Sequence, residues 1–255
     1  MHKKERHLKM IQMTNKSGII TVGEMIHALQ VSDMTIRRDL EELDQQGKLI
    51  RIHGGAQSLQ HNKKSELSHT QKKTIHVAEK KEIAQKMATF IQENDTIFLG
   101  TGTTLEMLAD FLSVKHLRII TNSLPVFESL QQFNEQHELI LIGGKYRRHT
   151  GVFIGSIANE ALSKLSFDKV FVSANGMKDY QLYTADAEEG YTHTIILQQA
   201  KALFVVVDHY KLDRDDFYQY YELPNTATLI TDSQIPEALK AHYEGLMKVV
   251  IADAK

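Results

Sequence analysis

The stretch from position 31 to position 43 places apolar and polar residues with the period of a helix. Its apolar residues recur at intervals of four and three positions and form one stripe: Ile36, Leu40 and Leu43. Ser32 is a suitable N-cap, because its hydroxyl can accept a hydrogen bond from a free N–H of the first turn. Outside the stripe lie Thr35, Arg37 and Arg38. The pattern predicts a short helix with one buried side and a basic outer side.

This basic side permits two interpretations. Arginine reads guanine edges in the major groove of DNA, and threonine can contact a phosphate or a thymine methyl group. Alternatively, Arg37 and Arg38 precede Glu41 and Glu42 by four residues, so they could form surface ion pairs. The order of base before acid is the weaker one on a helix. The neighbouring segments favour DNA binding.

Two further helices are predicted before this one. The first covers positions 3–16 and carries basic residues that we expect to face water or phosphate: Lys3, Lys4, Arg6 and Lys9. The second covers positions 22–29, where Thr21 and Glu24 have the spacing of a capping box. Gly47 is a suitable end for the third helix.

A strand and a glycine turn follow the third helix. Positions 48–53 alternate like a strand, and Gly54 and Gly55 predict a turn. Three helices followed by a short hairpin form a winged helix-turn-helix, whose third helix enters the major groove of DNA. On that wing, Arg51 and His53 can reach the DNA backbone or the minor groove. A turn histidine without a role is the alternative for His53.

The chain is predicted to divide into three parts. Residues 1–57 form the winged helix-turn-helix domain, and residues 58–76, which are polar and without a period, form a linker. Residues 77–255 form a second domain, which begins with a helix over positions 77–91.

Strands and helices alternate in the second domain. Short apolar strands are predicted at 96–99, 117–121, 138–142, 169–172, 203–207, 228–231 and 248–251. Helices are predicted between them at 105–112, 125–132, 156–165, 187–200 and 236–243. This order predicts an α/β fold with a largely parallel sheet covered by helices.

A polar loop follows the first of these strands. It reads Gly100-Thr-Gly-Thr-Thr104 and precedes a predicted helix, so its N–H groups and hydroxyls could hold a phosphate. It is neither a Walker A loop nor a full dinucleotide fingerprint, because no Gly-Lys-Ser/Thr follows and Leu105 occupies the third glycine position. Plain turn chemistry is the alternative.

Other polar residues are candidates for contacts with a phosphorylated sugar. The basic candidates are Lys145, Arg147, Arg148 and Lys211, each of which could instead be a solvated charge. Asp186, Glu188 and Glu189 could accept hydrogen bonds from sugar hydroxyls, or could simply begin a helix.

Composition narrows the possible classes. The chain has 255 residues and no cysteine, which excludes disulfides and thiolate metal sites. Residues 1–64 carry a net charge of +4 and the remainder −6, which suits a phosphate-binding head on a larger acidic body. The histidines form no metal-binding pattern, so we expect neither metal nor cofactor. No signal peptide and no membrane span is predicted, so we expect a cytoplasmic protein without a membrane partner.

The motifs together resemble the DeoR family of bacterial transcriptional repressors. The resemblance is carried by Val31-Ser-Asp-Met-Thr-Ile-Arg-Arg-Asp-Leu40, Ile52-His-Gly-Gly-Ala56, Phe98-Leu-Gly-Thr-Gly-Thr-Thr104, Leu141-Ile-Gly-Gly144 and Val207-Asp-His-Tyr-Lys211. The sensor domain of this family is similar in fold to ribose-5-phosphate isomerase. Thr14 stands where the family usually has an aliphatic residue, so we expect looser local packing there.

The resemblance implies roles for individual residues. It implies DNA contacts from Ser32, Thr35, Arg37 and Arg38. It implies phosphate binding at Thr101, Gly102, Thr103 and Thr104, and a sugar side at Asn122, Asp186 and Lys211. It also implies operator DNA as a partner, a phosphorylated sugar as effector, and a homo-oligomer (dimer or tetramer) on paired half-sites. The stretch Thr121-Asn-Ser-Leu-Pro-Val-Phe127 most resembles family members that control lactose and galactose use and respond to tagatose 6-phosphate.

Two alternatives accompany this hypothesis. One is a sugar-phosphate isomerase-like enzyme with a fused DNA-binding head. The isomerases carry an Asp-Gly-Ala-Asp-type segment where this chain has Ser173-Ala-Asn-Gly-Met177, so we expect no enzyme. The other is an activator of the same family, since operator position decides between activation and repression.

Overall fold

The computed structural model describes residues 2–17, 19–52, 54–58, 66–133 and 135–253. The chain forms two compact units, Met1–Val77 and Ala78–Lys255. Each unit is described by itself below. In the described residues, no helix is long and apolar enough to cross a membrane.

The first unit is a winged helix-turn-helix. Its elements are α1 (Lys3–Ser17), β1 (Ile19–Thr21), α2 (Val22–Leu29), α3 (Asp33–Gln45), β2 (Ile50–Ile52), β3 (Gly55–Gln57) and α4 (His69–Lys73). The two wing strands pair with each other, and β3 also pairs with β1, which was predicted only as a link. Both predicted caps form: Thr21 makes a capping box with Glu24, and Ser32 accepts from the N–H of Thr35.

The core of this unit joins all three helices of the motif. Met10 from α1, Met25 from α2 and Ile36 from α3 are fully buried. Thr14 is also fully buried, and its hydroxyl donates to the carbonyl of Met10 at 2.7 Å. Because that bond satisfies the hydroxyl, Thr14 fits the apolar core without an unpaired polar group.

One expectation for α1 is wrong. Arg6 was expected to face water or phosphate, but it is only 8% exposed. Its side chain turns inward because the fully buried carboxylate of Asp39 accepts a hydrogen bond from it.

The second unit is an α/β domain, as predicted. Its parallel strands are β4 (Thr96–Leu99), β5 (Arg118–Thr121), β6 (Glu138–Leu141), β9 (Phe167–Val172), β12 (Ala200–Val206), β14 (Thr228–Thr231) and β15 (Lys248–Ile251). Within the described residues they form a seven-stranded sheet in the order β15-β14-β12-β9-β4-β5-β6, and every neighbouring pair is parallel.

Helices cover this sheet. They are α5 (Val77–Ala88), α6 (Thr103–Glu106), α7 (Leu124–Leu130), α8 (Ser156–Leu162), α9 (Ala187–Gln198) and α10 (Glu237–Glu244). Side chains alternate between the two faces of the sheet, so Phe98 packs into one core while Ile97 and Leu99 pack into the other. Burial on both faces explains why the strands are continuous apolar runs.

Short antiparallel strands were not predicted. They are β7 (Lys145–Arg147), which pairs with β8 (Val152–Ile154), and the sheet of β10 (Gly176–Lys178), β11 (Gln181–Thr184) and β13 (Tyr218–Glu222). The helix predicted over 105–112 is also different. It is the four-residue α6 followed by a 3₁₀ turn at Met107–Asp110.

Candidate functional site

The exposed side of α3 is the candidate DNA-binding surface. Arg37 and Arg38 are both exposed, whereas Ile36, Leu40 and Leu43 are buried against the other helices. The hydroxyls of Ser32 and Thr35 lie 2.9 Å apart at the start of the helix. The structure therefore presents the predicted residues of α3 on one exposed helix end.

The two arginines differ in their partners. Arg37 donates from Nε to Asp33 Oδ1 at 2.5 Å and from an Nη to the other carboxylate oxygen at 3.2 Å. The alternative pairing of Arg37 and Arg38 with Glu41 and Glu42 is wrong, because those glutamates have other partners. In the part of the chain that is described, Arg38 has neither an ion pair nor a hydrogen bond through its guanidinium.

The two glutamates lie against basic residues from other elements. Lys3 Nζ is 2.6 Å from Glu42, and Arg51 on the wing is 3.7 Å from Glu41. The Arg51 N–H also donates to Asp44 at 3.0 Å, which fixes the wing to the end of α3. Arg51 is therefore near α3, as a wing contact to DNA requires, while His53 lies outside the described residues.

A cleft separates α3 from the wing. It has a volume of about 330 Å³, and its lining comprises Val22, Arg37, Leu40, Asp44, Arg51, Gly54 and Gly55. Gly55 lies against β1 so closely that a Cβ there would be 2.2 Å from the carbonyl oxygen of Ile20. Only glycine fits this close backbone approach, which explains the second glycine of the wing turn.

A buried ion pair holds α3 against α1. Arg6 Nε lies 2.5 Å from Asp39 Oδ2, and His7 Nε2 lies 3.2 Å from Oδ1. Burial raises the pKa of Asp39, but the hydrogen bond from Arg6 and the nearby His7 ring outweigh that effect and hold the pKa of Asp39 below its usual value. Asp39 therefore stays ionised and positions the helix that carries the candidate DNA contacts.

The candidate effector site lies in the second unit, at the carboxyl ends of four neighbouring strands. These are β12, β9, β4 and β5, which end at Val206, Val172, Leu99 and Thr121. In parallel α/β sheets, ligands bind beyond the carboxyl ends of the strands. Of the residues predicted for the site, Thr101 to Thr104, Asn122 and Lys211 follow these ends, whereas Asp186 follows β11.

The loop after β4 lies against β9. Gly102 has a φ of +137°, and a Cβ there would be 3.2 Å from the Cβ of Ser173. Thr103 and Thr104 are buried behind it, and Thr101 is half-buried. Because α6 has only four residues, its dipole is weaker than that of the longer helix that was predicted. An anion on this loop would depend chiefly on the loop's N–H groups and hydroxyls.

Lys211, in the 3₁₀ turn that follows β12, reaches the same point. Its Nζ donates to Ser173 Oγ at 3.2 Å. Gly102 and Lys211 therefore meet at one side chain, although they are 109 positions apart in the sequence. A cation beside a glycine loop is an arrangement that suits a phosphate.

Asp208, which lies just after β12, is a further candidate. It is 1% exposed, and neither carboxylate oxygen has a hydrogen-bond partner among the described residues. The N–H of Lys211 donates to its carbonyl at 3.0 Å, so the two residues share one turn. A buried carboxylate without donors is costly, and a ligand hydroxyl would satisfy it.

Asn122 lies at the end of β5, next to β4. It is fully buried, and its Nδ2 donates to the carbonyl of Phe153 at 2.9 Å. Its Oδ1 has no partner in the described part of the chain. The unpredicted hairpin of β7 and β8 thus holds Asn122 in place.

Asp186 is engaged in the protein itself. It caps α9 by accepting from the N–H of Glu189 at 2.9 Å, and it lies 3.3 Å from Arg147. Glu189 is 3.3 Å from the same arginine and accepts from Thr150 at 2.9 Å. The structure brings Asp186 to the β7–β8 hairpin, and among the described residues its side chain contacts Glu189 and Arg147 rather than the loop at Gly102.

The basic residues of β7 do not offer free charges to a ligand. Lys145 Nζ is 2.6 Å from Glu188, and Arg147 lies between two carboxylates. In the described residues, no group of three histidine or acidic side chains is placed to hold a metal ion. Lys211 is therefore the cation that best suits the effector site.

The chain matches two family models and close relatives. A model described as the DeoR-like helix-turn-helix domain matches residues 6–62, and one described as the DeoR C terminal sensor domain matches residues 75–233. The chain is 43% identical to the lactose phosphotransferase system repressor of Streptococcus mutans over 241 residues, which cover 94% of this chain and 96% of the relative. It is 39% identical to the protein of the same name from Staphylococcus aureus, with the same coverage of both chains.

A solved structure is similar to part of the chain. Ribose 5-phosphate isomerase A of Methanocaldococcus jannaschii aligns with a TM-score of 0.38 and 17% identity, over 52% of this chain and 53% of that chain. The family is established by the two models and the relatives, which span nearly the whole length. The chain belongs to the DeoR family and consists of a DeoR-like helix-turn-helix domain followed by a DeoR C-terminal sensor domain.

Proposed function

We propose that the protein is a repressor of a lactose or galactose operon that leaves its operator when its sensor domain binds a phosphorylated sugar. The names of the relatives support the operon, since both are lactose phosphotransferase system repressors. In this proposal the operator contacts come from Ser32, Thr35, Arg37 and Arg38 on α3 and from Arg51 and His53 on the wing.

The effector site is proposed at the carboxyl ends of β4, β5, β9 and β12. The phosphate lies on the loop of Thr101, Gly102, Thr103 and Thr104 and pairs with Lys211. Sugar hydroxyls reach Asn122 and Asp208, while Asp186 supports the β7–β8 side of the site. The observation that carries this proposal is the buried carboxylate of Asp208, which has no hydrogen-bond partner among the described residues and lies one turn from Lys211.

Tagatose 6-phosphate is the proposed effector. It supplies a phosphate for the loop and several hydroxyls for acceptors such as Asp208. Ligand binding shifts the protein to a conformer with lower operator affinity, and the shift is limited by the ligand's differential affinity for the two conformers. In this proposal the site binds the sugar phosphate without converting it to a product. The protein acts in the cytoplasm, as a homo-oligomer that occupies paired half-sites of the operator.

Binding to a labelled promoter fragment from the chain's own operon tests the proposal. The salt concentration is fixed, because phosphate contacts make DNA affinity steeply salt-dependent. We expect tight binding that tagatose 6-phosphate releases and that free tagatose does not. Release only by another sugar phosphate would identify that compound as the effector instead of tagatose 6-phosphate. The absence of any specific DNA binding would refute the proposed repressor function.

Two further measurements complete this test. Light scattering of the full chain, free and on the promoter fragment, reports whether it is a homo-oligomer. Incubation with tagatose 6-phosphate and with ribose 5-phosphate, followed by product analysis, reports turnover. Appearance of an isomerised product would revive the enzyme interpretation.

A further inference from the structure

Met34 differs from the other described methionines. Its side chain is 81% exposed, in the first turn of α3. The other described methionines are buried or half-buried: Met10, Met13, Met25, Met87, Met107, Met177 and Met247. A single exposed apolar residue is normal in itself, so its position must decide whether it has a role.

That position is on the exposed side of the first turn of α3. With 3.6 residues per turn, residues three and four positions later lie next to Met34, one on each side. These residues are Arg37 and Arg38. The apolar side chain is thus flanked by the two basic residues of the candidate DNA surface, and Thr35 is its neighbour in sequence.

The charges around Met34 leave its outer end open. Asp33 is occupied by Arg37, and among the described residues the guanidinium of Arg38 has no protein partner. The core contacts of α3 come from its buried residues Ile36, Leu40 and Leu43, and Met34 does not belong to this core cluster. A flexible, polarisable thioether is therefore presented outward between two cations.

We propose that Met34 contacts the C5-methyl group of a thymine in the operator and so helps to determine sequence specificity. This inference rests on the proposed function, in which α3 lies in the major groove. N-terminal residues of a recognition helix contact base edges, and the thymine methyl is the apolar group in that groove. Met34 reads the methyl group while Arg38 reads a neighbouring guanine edge.

Selection of binding sites from random DNA duplexes tests this role. The full-length wild type, Met34→Ala and Leu8→Ala are each used at one salt concentration. Leu8 is a matched control, because it is a 60% exposed apolar residue of the same unit on α1. We expect the wild type and Leu8→Ala to select the same site with a fixed thymine, and Met34→Ala to lose the preference at that position alone.

Deoxyuridine then removes the methyl group without changing the base pairing. We expect this replacement at the fixed thymine to weaken wild-type binding about three- to tenfold, as burial of one methyl-sized group implies. Binding of Met34→Ala should not change. The affinity of Met34→Ala for the deoxyuridine duplex should equal the affinity measured with either change alone, because both changes remove the same contact.

The outcomes separate this inference from the proposed function. If the wild type selects no site at all, both fail. If the wild type and Met34→Ala select the same site and lose the same affinity on deoxyuridine replacement, the role of Met34 is refuted. The proposed repressor function is then unaffected. Since Met34 is exposed and alanine is a better helix former, loss of folding is not expected to obscure the result.

Discussion

Arg6, near the start of α1, holds the buried carboxylate of Asp39 in the middle of α3, with Nε 2.5 Å from Oδ2. Asp39 is fully buried and Arg6 is 8% exposed, so the pair is shielded from water. The pair joins residues 33 positions apart and fixes α3 against the domain core. The candidate operator contacts therefore depend on a pair that does not itself face DNA.

Replacement of Arg6 by methionine should strongly destabilise the first unit. The change leaves the Asp39 carboxylate buried without its main partner, which costs about 3–5 kcal/mol of unfolding free energy for such pairs. Hydrogen exchange of the α3 amides in the full chain measures the loss. Arg6→Met with Asp39→Leu should recover much of it, since the double change leaves no unpaired charge.

Lys9→Ala is the control for this prediction. Lys9 pairs with Glu5 on the same helix, where both side chains are more than half exposed, so the change should have little effect. Protection of α3 that is unchanged in Arg6→Met would show that the buried pair does not hold the helix.

Arg38→Ala should weaken operator binding more than Arg37→Ala. Arg38 has no partner among the described residues, whereas Arg37 must leave Asp33 before it can contact a base. Loss of a bidentate base contact corresponds to about tenfold or more in affinity and relaxes the preference at one base pair. Titration of a labelled operator at fixed salt measures both effects. Equal operator affinities of wild type and Arg38→Ala would show that the assignment of α3 as the DNA-recognition helix is wrong.

Much of this architecture was predictable from the sequence, because local patterns determine it. The strands Thr96–Leu99, Thr228–Thr231 and Lys248–Ile251 have the predicted bounds, since buried parallel strands are short apolar runs between polar residues. The helix Val22–Leu29 also has the predicted bounds, because the Thr21 capping box fixes its start.

The unpredicted parts depend on contacts between distant residues. The strands of the β7–β8 hairpin are three residues long and carry no clear alternation, and tertiary bonds such as Asn122 to Phe153 hold them. Burial of Arg6 depends on Asp39, which a helical pattern over α1 alone cannot reveal. That the Asp208 carboxylate lacks hydrogen-bond partners within the described part of the chain likewise becomes visible only when the sheet is assembled.

Lys211→Met should abolish release by the effector and leave operator binding intact. The change removes the cation that meets the glycine loop at Ser173, while the DNA-binding unit is untouched. Anisotropy of a labelled operator, titrated with tagatose 6-phosphate, measures release. Lys201→Met is a matched control, because Lys201 pairs with Asp168 on an exposed surface, near the start of the strand that precedes Lys211. Normal release in Lys211→Met would place the phosphate elsewhere.

The stability of the sensor domain should fall in weak acid because of His193, which takes up a proton more readily in the unfolded chain than in the folded one. This residue of α9 is 2% exposed, and neither ring nitrogen has a partner among the described residues. Its ring lies 5.5 Å from that of Tyr220, whose hydroxyl is also buried and unpartnered. Burial lowers the pKa of His193 from 6.5 to about 4, because the charged form would lose its hydration.

The sign of the effect follows from proton uptake. Between pH 6.5 and about pH 4 the unfolded chain binds a proton at His193 and the folded chain does not. The free energy of unfolding therefore falls as pH is lowered through that window, by about 3 kcal/mol from this residue. His193→Leu removes the titrating group, so its stability should fall less over the same range. Hydrogen exchange of the α9 amides in both full-length proteins, from pH 7.5 to pH 4.5, measures the difference, and parallel curves would show that His193 takes up its proton without unfolding.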